Sequence, residues 1–147
     1  MWSLAKKILI NCYPFLAVLI TGGTIGAGEK LEDSLRSTEL YNPATQTSCS
    51  LPQLSERRRY HSLDGGVLCG GELELSSNSH ILTQCETFTN GTWAQSHTLE
   101  TKRRSHVSWA TSTGIYLIGG ARSPYTSEIV KGDGTVMEGF TLKYRTV

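Results

Sequence analysis

A short apolar run that ends in two glycines occurs three times in this chain. The runs are Leu19–Gly23, Val67–Gly71 and Tyr116–Gly120, and they recur at a step of about fifty residues. Each run predicts a buried strand, and each glycine pair predicts a tight turn that a neighbouring strand approaches closely. Such a repeat indicates stacked copies of one supersecondary unit. The paired glycines are Gly22, Gly23, Gly70, Gly71, Gly119 and Gly120.

Other features keep the same step along the chain. A glutamate follows each glycine pair (Glu39, Glu86 and Glu128), and a turn sequence such as Asn90-Gly91 follows each glutamate. These markers divide the second and third units into four short strands each. The predicted strands are Arg59–Leu63, Gly66–Gly71, Gln84–Thr89 and Thr92–Leu99 in the second unit, and Ser105–Ala110, Gly114–Gly120, Thr126–Lys131 and Thr135–Leu142 in the third.

The composition agrees with an all-β chain. Charged residues make up 18% of the sequence, there are 15 glycines, and the net charge is +1. Residues that favour turns and strands dominate over helix formers, and the small net charge gives no reason to expect a nucleic-acid partner. Four antiparallel strands in each unit of about fifty residues are typical of a β-propeller blade.

The repeat resembles the kelch family of β-propellers. The resemblance rests on the apolar run with Gly-Gly, on a glutamate two residues before an aromatic (Glu39/Tyr41 and Glu86/Phe88), and on Trp93 before the last strand. Ser48 and Val136 stand where the other units would carry that tryptophan. The repeat units cover about 15–57, 58–103 and 104–147, and residues 1–14 are interpreted as a leader or a partial strand.

Three units do not close a propeller, because a closed one has at least four blades. We therefore expect a fragment of a longer propeller or, alternatively, a piece that assembles with copies of itself. Either way, the remaining blades or self-association must cover the open apolar faces.

The basic clusters have two interpretations. They could form a positive rim that binds an anionic ligand, or their arginines could pair with the repeated Glu39, Glu86 and Glu128 and tie strands together. His61 and His106 follow these clusters at equivalent positions, which favours a structural role for both. The candidate rim consists of Arg57, Arg58, Arg59, Lys102, Arg103 and Arg104.

Cys69 and Cys85 fall on adjacent predicted strands joined by the loop from Glu72 to Thr83. They are candidates for a disulfide in an oxidising compartment and would be buried thiols in a reducing one. Asn90-Gly91-Thr92 is an acceptor sequence for N-glycosylation. The cysteines and this sequon favour an extracellular, secreted protein over a cytoplasmic one.

The resemblance implies a non-catalytic module that binds a protein or glycan through inter-strand loops, without a cofactor or a membrane span. The expected binding loops are Thr24–Ser37, Glu72–Thr83 and Ala121–Tyr125. The family also implies two alternatives. One is a propeller enzyme of the galactose-oxidase or sialic-acid-isomerase kind, and the other is the substrate-recognition part of a ubiquitin ligase adaptor.

Overall fold

The computed structural model describes residues 17–24, 34–75, 78–121 and 126–141. Within these ranges the chain is all-β, with antiparallel strands and no helix. The strands are β1 (Val18–Thr21), β2 (Thr38–Asn42), β3 (Thr47–Leu51), β4 (Ser62–Asp64), β5 (Val67–Cys69), β6 (Glu72–Leu75), β7 (Asn78–Ile81), β8 (Gln84–Thr89), β9 (Thr92–Thr98), β10 (Val107–Thr111), β11 (Gly114–Ile118), β12 (Thr126–Val130) and β13 (Val136–Thr141).

The strands form three main sheets and one hairpin, and none of the sheets closes on itself. Sheet I has the order β1-β2-β3, sheet II the order β4-β5-β8-β9, and sheet III the order β10-β11-β12-β13. The β6–β7 hairpin is inserted between β5 and β8 of sheet II. Sheets II and III therefore have the same antiparallel meander topology, apart from this insertion.

The eight strands predicted for the second and third units are present, but two of them begin two or three residues later than expected. β4 begins at Ser62 rather than Arg59, and β10 begins at Val107 rather than Ser105. The cause is local, because Tyr60 (φ 55°) and Ser105 (φ 53°) adopt the left-handed conformation, which interrupts an extended strand. The two residues occupy equivalent positions, so the interruption belongs to the repeat.

The segment from Glu72 to Thr83 was expected to be a loop, and this expectation is wrong. Residues Glu72–Leu75 alternate acidic and apolar side chains, which suits a two-sided strand, and they pair with Asn78–Ile81. An isolated bridge between Arg59 and Glu72 fixes the base of this hairpin.

The three sheets are stacked in the order I, II, III, and apolar side chains fill both gaps. Leu54, Leu68 and Trp93 form one core cluster, against which Leu19 of sheet I packs. Cys69 and Cys85 of sheet II join Leu117 of sheet III in the other. Since Leu68 and Cys69 are adjacent in one strand and point to opposite faces, sheet II is buried on both sides.

Several predicted features lie outside the described residues. They are the leader or partial strand at 1–14, most of the loop Thr24–Ser37, most of the loop Ala121–Tyr125, and the last residues of the third unit.

Candidate functional site

Two buried arginines join consecutive sheets through the glycine pairs. The Arg58 carbonyl accepts a hydrogen bond from the Gly23 N–H of sheet I at 2.9 Å. The Arg58 guanidinium reaches in the other direction, where Nη1 donates to the Gly70 and Gln84 carbonyls of sheet II at 2.8 and 3.0 Å. One residue thus holds the preceding sheet with its backbone and the following sheet with its side chain.

Arg103 repeats this arrangement between sheets II and III. Its carbonyl accepts from the Gly71 N–H at 2.8 Å. Its Nη1 donates to the carbonyls of Gly119 at 3.0 Å and Thr126 at 2.7 Å. The same donors and acceptors therefore occur at both junctions, and we call each set an arginine junction.

A glutamate completes each arginine junction. Arg58 Nη2 lies 2.5 Å from Glu86 Oε1, and Arg103 Nε lies 2.9 Å from Glu128 Oε1. Both arginine side chains are fully buried. Burial lowers the pKa of Arg58, and the charge and hydrogen bond of Glu86 oppose that shift. Because a buried charge is costly without a partner, each glutamate makes burial of its arginine possible.

The first glycine of each pair is required by the close approach of the arginine backbone. A Cβ at Gly22 would lie 2.5 Å from the Arg58 carbonyl oxygen, and a Cβ at Gly70 would lie 2.6 Å from that of Arg103. Both glycines have positive φ, at +58° and +60°. A side chain at either position would clash with the next sheet and strain its own backbone.

Two buried histidines form a second link between the sheets. His61 Nε2 lies 2.8 Å from Thr21 Oγ1 of sheet I, and His106 Nε2 lies 2.8 Å from Ser62 Oγ of sheet II. Burial, helped by the charge of the nearby junction arginine, lowers the pKa of each histidine to about 4. Both rings are therefore neutral at pH 7 and hydrogen-bonded across a sheet junction.

The β6–β7 hairpin is anchored by a cluster of charged side chains around Glu72. Glu72 Oε2 accepts from Arg104 Nη1 at 2.5 Å and from Arg59 Nη2 at 3.4 Å, and Oε1 accepts from the Ser79 hydroxyl. Arg59 also forms an ion pair with Glu74. Burial acts to raise the pKa of Glu72, but the hydrogen bonds from Ser79 and Arg104 outweigh it, and the pKa is lowered.

These contacts correct the interpretation of the basic clusters as a surface rim. Arg58, Arg59 and Arg103 are buried and paired with carboxylates. Arg104 pairs with Glu72, and Arg57 Nη1 donates to the Ser34 carbonyl at 3.2 Å. Of these six residues, Lys102 is the one that is exposed. Five of the six basic side chains thus have acceptors within the fold, and the pairs with Glu86 and Glu128 agree with the alternative interpretation. Glu39, which that interpretation also named, forms no ion pair among the described residues.

Loops from consecutive units meet at the end of the stack where the glycine pairs lie, which we call the glycine end. The Glu74 N–H donates to Ser34 Oγ at 2.9 Å, so the hairpin contacts the end of the preceding loop. Ser79 and His80 of the hairpin are exposed there. Sequence reasoning named Glu72–Thr83 as an expected binding loop, but it did not predict that this segment forms a hairpin anchored at Glu72.

The predicted disulfide between Cys69 and Cys85 is present, and it joins directly opposed residues of β5 and β8. Cys49 is also disulfide-bonded. Asn90 is exposed in the two-residue turn between β8 and β9, where Asn90 (φ 52°) and Gly91 (φ 84°) both have positive φ. This turn lies at the far end of sheet II from the glycine pair.

No family model matches the chain, and no curated protein matches it. Over the described ranges, no group of three or more His, Cys, Asp or Glu side chains is arranged to hold a metal ion. A helix of the length and apolarity needed to cross a membrane is likewise not found in that part of the chain.

Proposed function

We propose that the chain is a segment of a kelch-type β-propeller and acts as a non-catalytic protein-binding module. Sheets I, II and III would be consecutive blades. The support for this proposal is the repetition of the arginine junction and the histidine link at both sheet boundaries, with the same spacing from the glycine pairs. Repeat proteins use such a constant framework to carry variable loops.

The single observation that carries the binding role is the anchored hairpin at the glycine end. Its base is fixed by Glu72, which is paired with Arg59 and Arg104 from two different units. A surface held in place before binding loses less conformational entropy when a partner docks. The hairpin is also the main element that distinguishes sheet II from sheet III, as a specificity element should be.

The chemistry of this surface favours a protein partner. In the described part of the hairpin, Ser79 and His80 are exposed. Serine provides adaptable hydrogen bonding at binding surfaces. A glycan partner remains the alternative that the experiment below distinguishes.

The disulfide chemistry supports an extracellular location. Stable disulfides persist in oxidising compartments, and this chain holds Cys69, Cys85 and Cys49 in disulfides. The exposed turn at Asn90 is accessible to glycosyl transfer. Production in animal cells should therefore yield secreted protein with a glycan that the Asn90→Gln variant lacks.

The binding role is tested with the secreted chain on an array of purified extracellular protein domains and, in parallel, on a glycan array. His80→Trp places a bulky group on the hairpin, and Thr113→Trp places the same group on an exposed turn at the opposite end of sheet III. We expect binding to a protein domain that falls at least about tenfold with His80→Trp, corresponding to 1.4 kcal/mol, and is unchanged with Thr113→Trp.

Binding on the glycan array alone would show that the partner is a carbohydrate and not a protein. The absence of binding on both arrays, or equal loss with both variants, would overturn the proposal that the glycine end is a binding surface.

A further inference from the structure

At both internal junctions of the stack, the two sheets pack together through opposite kinds of face. We call the face of a sheet that carries the residues one and three positions before its glycine pair the odd face, and the opposite side the even face. Leu19, on the odd face of sheet I, packs in the same cluster as Leu68, on the even face of sheet II. Val67 and Cys69, on the odd face of sheet II, pack with Leu117, on the even face of sheet III. Each junction therefore joins an odd face to an even face.

The odd face of sheet III is exposed and apolar. Four side chains lie in register across its four strands, from Trp109 through Tyr116 and Ile129 to Met137. Trp109 retains 64% of its accessible surface and Met137 retains 42%. The ring centroids of Trp109 and Tyr116 are 6.3 Å apart, so these two side chains form one aromatic patch. A contiguous apolar patch of this kind marks an interaction surface.

The even face of sheet I is exposed as well. Val18 and Ile20 retain 51% and 50% of their accessible surface, whereas Leu19 between them packs against sheet II. The two exposed faces are thus one odd face and one even face, which is the combination that both internal junctions use.

We infer that these two faces are the two halves of one interface between copies of this chain. The odd face of sheet III in one copy packs on the even face of sheet I in a second copy. The contact is head-to-tail, so it either closes into a ring or adds further copies.

Gly120 provides a second observation in favour of this contact. At both internal junctions the N–H of the second glycine, Gly23 or Gly71, donates to a carbonyl of the next sheet. The equivalent Gly120 is buried, with φ +111°, and its N–H has no acceptor among the described residues. A buried N–H needs an acceptor, and a backbone carbonyl of the second copy would supply one.

The side chains at this edge also fit an apolar partner. Val107 occupies the position of Ser62, and Ile118 occupies that of Thr21, the two hydroxyl residues that bind histidines at the internal junctions. The edge of sheet III therefore offers methyl groups where the internal junctions offer hydroxyls. Val18 and Ile20 of the second copy match that apolar surface.

The test is sedimentation velocity on the secreted full chain between about 1 and 100 µM, the range that reveals a micromolar interface. Trp109→Glu alters only the odd face of sheet III, and Ile20→Glu alters only the even face of sheet I. Thr113→Glu adds the same charge to an exposed turn away from both faces. Circular dichroism and the absence of free thiols verify that each variant is folded.

We expect the chain and Thr113→Glu to sediment as whole multiples of the monomer mass measured for the same preparation under denaturing conditions, and each face variant alone to sediment as a monomer. An equimolar mixture of the two face variants should regain a dimer, because each retains the face that the other lacks. A monomeric unmodified chain, association of both folded face variants, or a mixture that stays monomeric would overturn the proposal. Loss of association with Trp109→Glu alone would also overturn it, because it would indicate contact between two sheet III faces.

Discussion

Acidification from pH 7.5 to pH 5.0 should destabilise the fold through the two junction histidines. His61 and His106 have a pKa of about 4 in the folded chain, against an ordinary value of 6.5. Below pH 6.5 the two histidines become protonated in the unfolded chain but stay largely neutral in the folded chain until the pH approaches 4. The contribution of these two histidines to stability is therefore nearly constant well above pH 6.5 and falls as the pH is lowered from about 6.5 towards 4.

The size of the loss follows from these two values. At pH 5.0 an unfolded histidine is almost fully protonated and a folded one is mostly neutral, which costs about 2 kcal/mol for each ring. Glu72 contributes little to the loss of stability between pH 7.5 and pH 5.0. Its pKa is lowered from the ordinary value of 4.5, so its effect on stability develops below this pH range. The two histidines together should remove about 4 kcal/mol, a large share of the stability of a small domain.

Urea unfolding at the two pH values, followed by tryptophan fluorescence to which buried Trp93 contributes, measures this loss. The double variant His61→Gln, His106→Gln should be less stable at pH 7.5. Its unfolding free energy should change much less between pH 7.5 and pH 5.0 than that of the unmodified chain. His80→Gln, on the exposed hairpin, should keep the full difference. Equal unfolding free energies of the unmodified chain at pH 7.5 and 5.0, or a pH dependence that persists in the double variant, would refute the reasoning.

Three further predictions concern the disulfide and the arginine junctions, each measured as a change in unfolding free energy. Replacing Cys69 and Cys85 by alanine should cost about 3 kcal/mol, since the bond closes a loop with a sequence separation of 16. Reduction of the unmodified chain should cost at least as much, because it also breaks the disulfide of Cys49. Glu86→Gln should cost about 3–5 kcal/mol because it leaves the Arg58 charge buried without its partner. Glu138→Gln, on an exposed side chain, should cost less than about 0.5 kcal/mol, and similar losses for the two would contradict the buried pair. Gly70→Ala should cost more than about 3 kcal/mol from strain and overlap with the Arg103 carbonyl. Gly66→Ala, at φ +77° with open space around it, should cost only about 1–2 kcal/mol of backbone strain, and equal costs would mean that the close approach is absent.

The sequence repeat was sufficient to predict most of the strands. The apolar runs before the glycine pairs, the glutamate strand and the Asn90-Gly91 turn are local patterns, and local patterns determine strand and turn positions. The disulfide was also predictable, because Cys69 and Cys85 fall on strands that the repeat makes neighbours. The pairing of arginines with Glu86 and Glu128 was available as one of two interpretations, since both partners recur in phase.

Local sequence patterns could not predict the contacts between sheets. Thr21 and Ser62 are ordinary strand residues in the sequence, and they become histidine partners only when the sheets stack. The positive φ of Tyr60 and Ser105 had no sequence signal, because neither residue is a type that favours that conformation. The hairpin was not predicted because the serine-rich sequence at 76–79 interrupts the alternation in Glu72–Leu75.

The central claim is that the sheets are consecutive propeller blades joined by arginine junctions. A crystal structure of the secreted chain tests this claim most directly. We expect the guanidinium groups of Arg58 and Arg103 within hydrogen-bond distance of the Gly70 and Gly119 carbonyls, and successive sheets rotated in the same sense about one axis near the glycine ends. Arginine side chains in solvent, or sheets that share no such axis, would contradict it.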